Sequence, residues 1–293
     1  MKLYIYLAIT TVILFSCKKN CIYPYSSLNG KVKSMTISLQ DSSKFNIIFF
    51  YDTLTAKITN IKLLRKPPDI DSFGLDAEFV FRYDKNIITI DEIGLDNINI
   101  YHQYKIHFDN YKHINAFNTV DVNFNMEAPY MTCIQQGSRI DSFYEKYNWP
   151  TAFNRQCYDY VFDGNNYTGF KFEYDWYAIF GGNVHVLDSA KINYTNLPFT
   201  SYAPMQYMYS ANTLFNLGAP GEVFYDILYF LQLEGFVFYT PNRNLVNTIR
   251  TFDDSTNIVY MNYDFNSNNQ LSKFYVNFRT PSFRFFTYTF EYY

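Results

Sequence analysis

No run of twenty apolar residues, no block of basic charge, no phosphate-binding loop and hardly any cysteine occur in this sequence, and each absence removes a class of protein. The longest apolar stretch, Leu3 to Phe15, ends at Ser16-Cys17-Lys18-Lys19 and is too short for a membrane-spanning helix. Basic residues form no long block, with small groups such as Lys18-Lys19 and Lys31/Lys33 in a chain of net charge -3, so a nucleic-acid partner is disfavoured on electrostatic grounds. No G-x-S-x-G elbow and no G-x-G-x-x-G turn is present, which removes the usual basis for acyl and nucleotide chemistry. His102, His107 and His113 are close in sequence, but on a strand the first two point to opposite faces, and no H-E-x-x-H or cysteine pair completes a metal set. Neither a metal nor another cofactor is expected, and no catalytic residue is assigned.

What is abundant is the aromatic ring. Thirty tyrosines and thirty phenylalanines stand beside only 10 prolines and 11 glycines, a composition suited to pleated, half-buried surfaces. Nine of the aspartates directly follow Phe or Tyr, where about four would by chance. The best copies are FFYD at Asp52, FRYD at Asp84, IHFD at Asp109, FEYD at Asp175 and MNYD at Asp264. In each, the residue two before the ring is also apolar, which is the period-2 face of a strand. A second apolar series follows a short polar gap, as in Ile58-x-x-Ile61-x-Leu63 and Leu271-x-x-Phe274-x-Val276. The unit is a strand, a turn and a returning strand, with the aspartate accepting a backbone hydrogen bond at the turn. The fold class that follows is all-β and mostly antiparallel: a meander of β-hairpins forming a curved sheet or sandwich, with one or two short helices.

The first sixteen residues have the charged, apolar and small-residue regions of a secretory signal. Leu14-Phe15-Ser16-Cys17 resembles the lipobox of bacterial lipoproteins, which implies acylation of Cys17 and attachment to the membrane through it. The hairpin phrases resemble the tyrosine-aspartate meanders of a Bacteroidota lipoprotein family of unknown function, distantly similar to YD-repeat sheets. The likeness runs from Gly30 to Tyr293. Its most specific part is Asn196-Leu197-Pro198-Phe199, then Thr240-Pro241-Asn242-Arg243-Asn244-Leu245-Val246, then VYMNYDFNSNNQLSKF from Val259 to Phe274. No activity comes with this resemblance. It implies an outer-membrane location, and the lack of an acidic cluster after Cys17 favours the periplasmic side.

Residues 17–29 read as anchor and tether, and residues 30–293 as one domain with an irregular insertion near 125–156. Gly221 to Gly235 is either one amphipathic helix or a pair of strands. With Cys17 acylated, an export context permits a disulfide between Cys133 and Cys157, or leaves them as free thiols. Trp176 and Tyr177, beside Gly181-Gly182, and Trp149 are candidate stacking faces for a glycan, against a role capping the sheet core. Asp-Ser/Thr-apolar triplets at Thr53, Ser189 and Ser255 resemble Bacteroidota O-glycosylation sites. Glu145 and Glu173 lie near aromatic segments but need a convergence that sequence does not supply for glycoside hydrolysis. The function expected is that of a lipid-anchored envelope protein that binds a glycan or envelope protein, or serves as a scaffold, without catalysis. The alternatives are an outer-membrane β-barrel, which needs more strands of even length than the hairpin phrases mark, and a glycan-binding surface lipoprotein.

Overall fold

The structure is a computed structural model that describes residues 28–39, 42–93, 100–124, 126–136, 139–147, 153–178, 182–200, 223–238, 243–251, 258–278 and 285–293. Twelve strands come first: β1 (Val32–Leu39), β2 (Lys44–Tyr51), β3 (Ile58–Lys66), β4 (Gly74–Asp84), β5 (Ile87–Ile93), β6 (Ile100–Phe108), β7 (Ile114–Asp121), β8 (Met126–Gln136), β9 (Arg139–Tyr147), β10 (Phe153–Asp163), β11 (Asn166–Ala178) and β12 (Gly182–Pro198). A helix, α1 (Val223–Leu233), precedes β13 (Asn244–Thr251), β14 (Ile258–Phe265), β15 (Leu271–Phe278) and β16 (Phe285–Tyr292). Each strand pairs antiparallel with its sequence neighbours, and β1 pairs with β16 from Val32↔Tyr292 to Leu39↔Phe286. That last ladder closes the sheet into a sixteen-strand barrel and removes both edges.

The all-β, antiparallel expectation holds at this level. The curved sheet or sandwich does not, because the first and last strands have found each other. The segment 125–156 is likewise not an irregular insertion. It holds β8, β9 and the start of β10, whose alternation is broken by register shifts that skip Tyr130 of β8 opposite Phe117/Asn118 of β7 and Asp141 of β9 opposite Ile134/Gln135 of β8. Each shift throws a strand's apolar residues off strict period 2.

The tightly buried apolar residues of the wall point inward, and the outward positions mix charged and polar residues with exposed apolar ones such as Phe50, Val161 and Leu187. Met35 and Ile37, Phe45, Ile47 and Phe49, Ile61 and Leu63, and Phe79 and Phe81 are buried and face the lumen. Between them Ser34, Thr36, Lys44, Asn46, Lys62, Glu78 and Arg82 face out. The lumen is occupied by α1: Ile227, Leu228, Tyr229, Phe230 and Leu231 are all buried, five residues in succession, which covers every side of a helix. The Phe230 ring sits 5.7 Å from Phe49 and 6.0 Å from Phe79. The open question of Gly221 to Gly235 is therefore settled for a helix, and for one buried all round rather than on one face. It ends in a Schellman motif, in which the Phe236 N–H donates to Leu231 O and the Gly235 N–H to Gln232 O, with Gly235 at φ 83°.

The Gly169 α-carbon is packed against β12, where an added Cβ would lie 2.8 Å from the Ala190 carbonyl oxygen. Gly169→Val should lower unfolding stability by about 2 kcal/mol. Gly74→Val, whose Cβ would meet nothing within 4 Å, should change it by less than about 0.5 kcal/mol in the same denaturant titration.

Candidate functional site in the barrel lumen

Because strands alternate in direction, every second hairpin falls on the same rim. The β2–β3, β4–β5, β6–β7, β10–β11 and β14–β15 turns share one rim with the start of β1 and the end of β16. This gathers Asp52, Asp84, Asp109, Asp163 and Asp264 at a single end of the barrel. Asp52 accepts hydrogen bonds from the Leu54 N–H (3.1 Å) and the Thr55 N–H (2.6 Å), and Asp109 from the Tyr111 N–H (2.7 Å). These are the turns the sequence predicts, and the Thr55 and Leu54 donors hold the Asp52 carboxyl below the usual carboxylate range. At β14–β15 the turn-closing acceptor is Asn266 instead, and Asp264 accepts from the Tyr275 hydroxyl at 2.7 Å. Asp175 is no turn residue at all; it sits within β11 and faces His185 across the ladder at 2.8 Å.

Tyrosines near strand ends, two of them from the phrase, close the rim from inside. The Tyr51 hydroxyl donates to Val32 O (2.8 Å), Tyr263 to Val246 O (2.7 Å), Tyr292 to Leu271 O (2.6 Å) and Tyr194 to Tyr167 O. Each bond runs from near the end of an even-numbered strand to the beginning of the strand before it. Tyr83 occupies the corresponding place on β4, but its buried hydroxyl has no hydrogen-bond partner among the described residues. Burial, and then the Glu234 carboxylate, push that phenol far above its ordinary range.

The helix end is latched to this rim. The Lys31 ammonium lies 3.0 Å from Glu234 Oε1, and Lys112 donates to Glu234 O at 2.8 Å while standing 4.9 Å over the Phe236 ring. Backbone bonds continue the attachment, from the Ile114 N–H to Val237 O (2.7 Å) and from the Val237 N–H to Lys112 O (3.2 Å). Phe236 packs on Phe108, and Phe238 on Phe143.

Toward the opposite rim the lumen is polar. Buried Glu92 accepts the Tyr104 hydroxyl at 2.8 Å and lies 3.0 Å from Nδ1 of half-exposed His102. Buried Glu145 accepts the Tyr130 hydroxyl at 2.8 Å. The Tyr104, Phe117 and Tyr130 rings run in series between the two carboxylates, at centroid spacings of 5.8 and 5.9 Å. Sequence reasoning missed Glu92, although its parity with Ile88 and Ile90 in IITIDEI marks it as inward-facing. His102 and His107 do face opposite sides, the first toward Glu92 and the second toward Glu127 on the outer wall at 3.1 Å. Glu145 faces the lumen and Glu173 the outside, so the two glutamates singled out from sequence do not converge. Among the described residues no group of three His, Cys, Asp or Glu is placed to hold a metal ion.

Cys133 and Cys157 are free thiols and not a disulfide. Both are register partners of Phe143, one on each side of β9, which puts them two strand spacings apart, about 10 Å, beyond the reach of an S–S bond. Burial pushes the Cys133 thiol up to about 12, so it is inert. Trp176 and Tyr177 are in the β11 ladder, opposite Val184 and Asn183, and not on a glycine loop. Thr53 is exposed in the β2–β3 turn, and Ser189 is on β12 rather than in a turn. Cys17, Trp149 and Ser255 lie outside the described residues.

With the closed wall and its filled lumen established, solved structures supply the comparison. A porin-like protein from Bacteroides uniformis superposes with a TM-score of 0.58 over 90% of this chain and 99% of its own, at 8% identity. A second, from Bacteroides vulgatus, superposes with a TM-score of 0.52 over 90% and 98%, at 14% identity. The fold is the one those proteins share. Their source agrees with the Bacteroidota resemblance of the hairpin phrases. No protein-family model matches the chain, and no curated protein matches it significantly.

Two measurements follow. Lys31→Ala leaves the Glu234 carboxylate buried without its cation and should cost about 2 kcal/mol in stability, whereas adding Glu234→Gln to it should restore part of the loss. On the outer wall, Lys105, Asn118 and His107 hold the Glu127 carboxyl at about 2, below its ordinary 4.5. That depression stabilises the fold above about pH 4.5 and is lost as pH falls toward about 2. The stability gap between wild type and Glu127→Gln should therefore be widest above pH 4.5 and close by about pH 2.

Proposed function

We propose that the chain is an outer-membrane-associated β-barrel that stands in water, is held to the membrane by acylated Cys17, and serves binding or scaffolding without catalysis. The single observation behind this reading is the polarity of the wall. A barrel that crosses a bilayer turns an apolar belt roughly 25 Å tall toward lipid, and an outward Lys or Arg costs about 2–4 kcal/mol at its middle. Here outward positions along the strands carry Lys62 with Glu78 (3.7 Å), Arg82 with Asp91, Lys105 with Glu127 (2.8 Å) and Lys171 with Asp159 (2.8 Å). The close-packed apolar residues face inward onto α1, and outward apolar residues such as Phe50 and Leu187 are interspersed with polar and charged ones, Asn60 and Glu173 being their register partners. A lumen filled by a helix and its rings supports a role other than passive diffusion of solutes.

A second reading is favoured by the comparison with porin-like proteins: the barrel crosses the outer membrane. Outer-membrane association is common to both, and the attachment distinguishes them. No helix among the described residues is long and apolar enough to cross a membrane, which says nothing of spanning by strands.

Cys17→Ala decides between them. Under the anchored reading the exported variant leaves the membrane fraction and stays soluble without detergent, and the wild type adds no conductance to a planar bilayer. Retention of the variant in carbonate-washed membranes would establish the spanning reading.

A further inference from the structure

The β9–β10 ladder is incomplete although both strands continue. It runs from Phe153↔Tyr147 to Cys157↔Phe143 and stops, while β9 reaches back to Arg139 and β10 on to Asp163. Two features hold the strands apart. Asp159 has φ 51°, and β10 bulges there against β11, with a register shift between Tyr158 and Val161. Tyr167 of β11 then occupies the place of a backbone partner: its buried hydroxyl accepts the Ile140 N–H at 3.0 Å. The Arg139 guanidinium crosses the same seam to donate to Gly164 O at 3.2 Å and lies 4.4 Å over the Phe162 ring.

The parting leaves a groove of about 400 Å3 in the outer wall, within the size range of small-ligand sites. Arg139, Asp141, Tyr144, Gln156, Tyr158 and Asp159 line it. The exposed lining is mostly polar, and the Gln156 amide donates to the Tyr144 hydroxyl at 3.0 Å, which fixes both side chains before anything binds. Charge in the groove is balanced: Arg139 offsets Asp141, and Asp159 is already paired with Lys171 at 2.8 Å. A strongly charged ligand would gain little from such a lining. A compact molecule carrying many hydroxyls and apolar C–H faces would match its tyrosine rings, carboxylates, amide and guanidinium together.

We propose that this groove binds a neutral disaccharide. It rests on the water-facing wall, which the fractionation of the Cys17→Ala protein tests separately. The backbone bulge and the Tyr167 hydroxyl make the opening part of the fold, so the site exists in the free protein and needs no strand to move. None of these six residues belongs to the rim latch or to the lumen carboxylates.

The test is saturation-transfer NMR and calorimetry on the full-length chain in a non-glycosidic detergent, with cellobiose, maltose and N,N′-diacetylchitobiose as probes and citrate and spermidine as charged controls. At least one disaccharide should bind. Its affinity should fall at least tenfold in Tyr144→Ala and in Gln156→Ala and stay unchanged in Tyr101→Ala, an exposed ring on another strand. If Tyr144→Ala fails to fold, Asp141→Ala takes its place with the same expectation. The proposal is overturned if no disaccharide binds, if a charged control binds more tightly, or if binding survives the groove substitutions.

Discussion

A wall of sixteen strands that turns rings and branched aliphatics inward cannot enclose water, because each exposed apolar side chain would forgo roughly 1.5–3 kcal/mol of burial. A barrel of this strand number leaves a wide interior when round. The interior therefore has to be filled with protein, and α1 with the Phe236–Phe238 segment does this. Everything else depends on that packing. The helix can be apolar on all sides because the wall surrounds it. The outer face can carry Lys, Glu, Asp and Asn because the core lies on the other side. The sheet can close because closure leaves no apolar edge to cover.

The rim holds this arrangement in register. Even-numbered strands end where odd-numbered ones begin, and a tyrosine near such an end has a neighbouring carbonyl within reach of its hydroxyl. Tyr51, Tyr194, Tyr263 and Tyr292 use that reach, each bonding a residue 17 to 27 positions earlier. The bonds tie one strand of a pair to the other at the place where ladders fray. They also give tyrosine a use at the strand exits that phenylalanine lacks: the ring packs on the last layer of the lumen, and the hydroxyl satisfies a backbone acceptor. The same rim receives Glu234 between Lys31 and Lys112, so the plug is fastened by charge and by backbone at the end where the tyrosine bonds lie.

Much of the local structure was legible in the chain. FFYD and IHFD mark strand exits because an aspartate can close the turn after them, and the structure has those hydrogen bonds at Asp52 and Asp109. FEYD does not, because β11 continues past Asp175 to Ala178, which leaves the aspartate inside the ladder opposite His185. The stretch from Asn125 to Gln156 resisted the same reading, since register shifts displace its inward residues from alternate positions. The Cys133–Cys157 pair illustrates a different limit. Spacing along the chain allows a bridge; the intervening strand β9 forbids it. The groove residues Tyr144, Gln156 and Tyr158 carry no sequence signal of their own, for they differ from other outward residues only in lying beside a ladder that stops.

Composition and alternation by themselves determined that this chain is made of antiparallel hairpins with aspartate at many of the turns, because those preferences act within a few residues. Whether the hairpins would lie open, stack or close was decided only when β1 met β16, more than two hundred residues away. Which side of the wall is apolar core was decided with it. An alternating strand is buried on one face whichever way it is turned, and only the ring of neighbours, with a helix inside it, tells lumen from exterior.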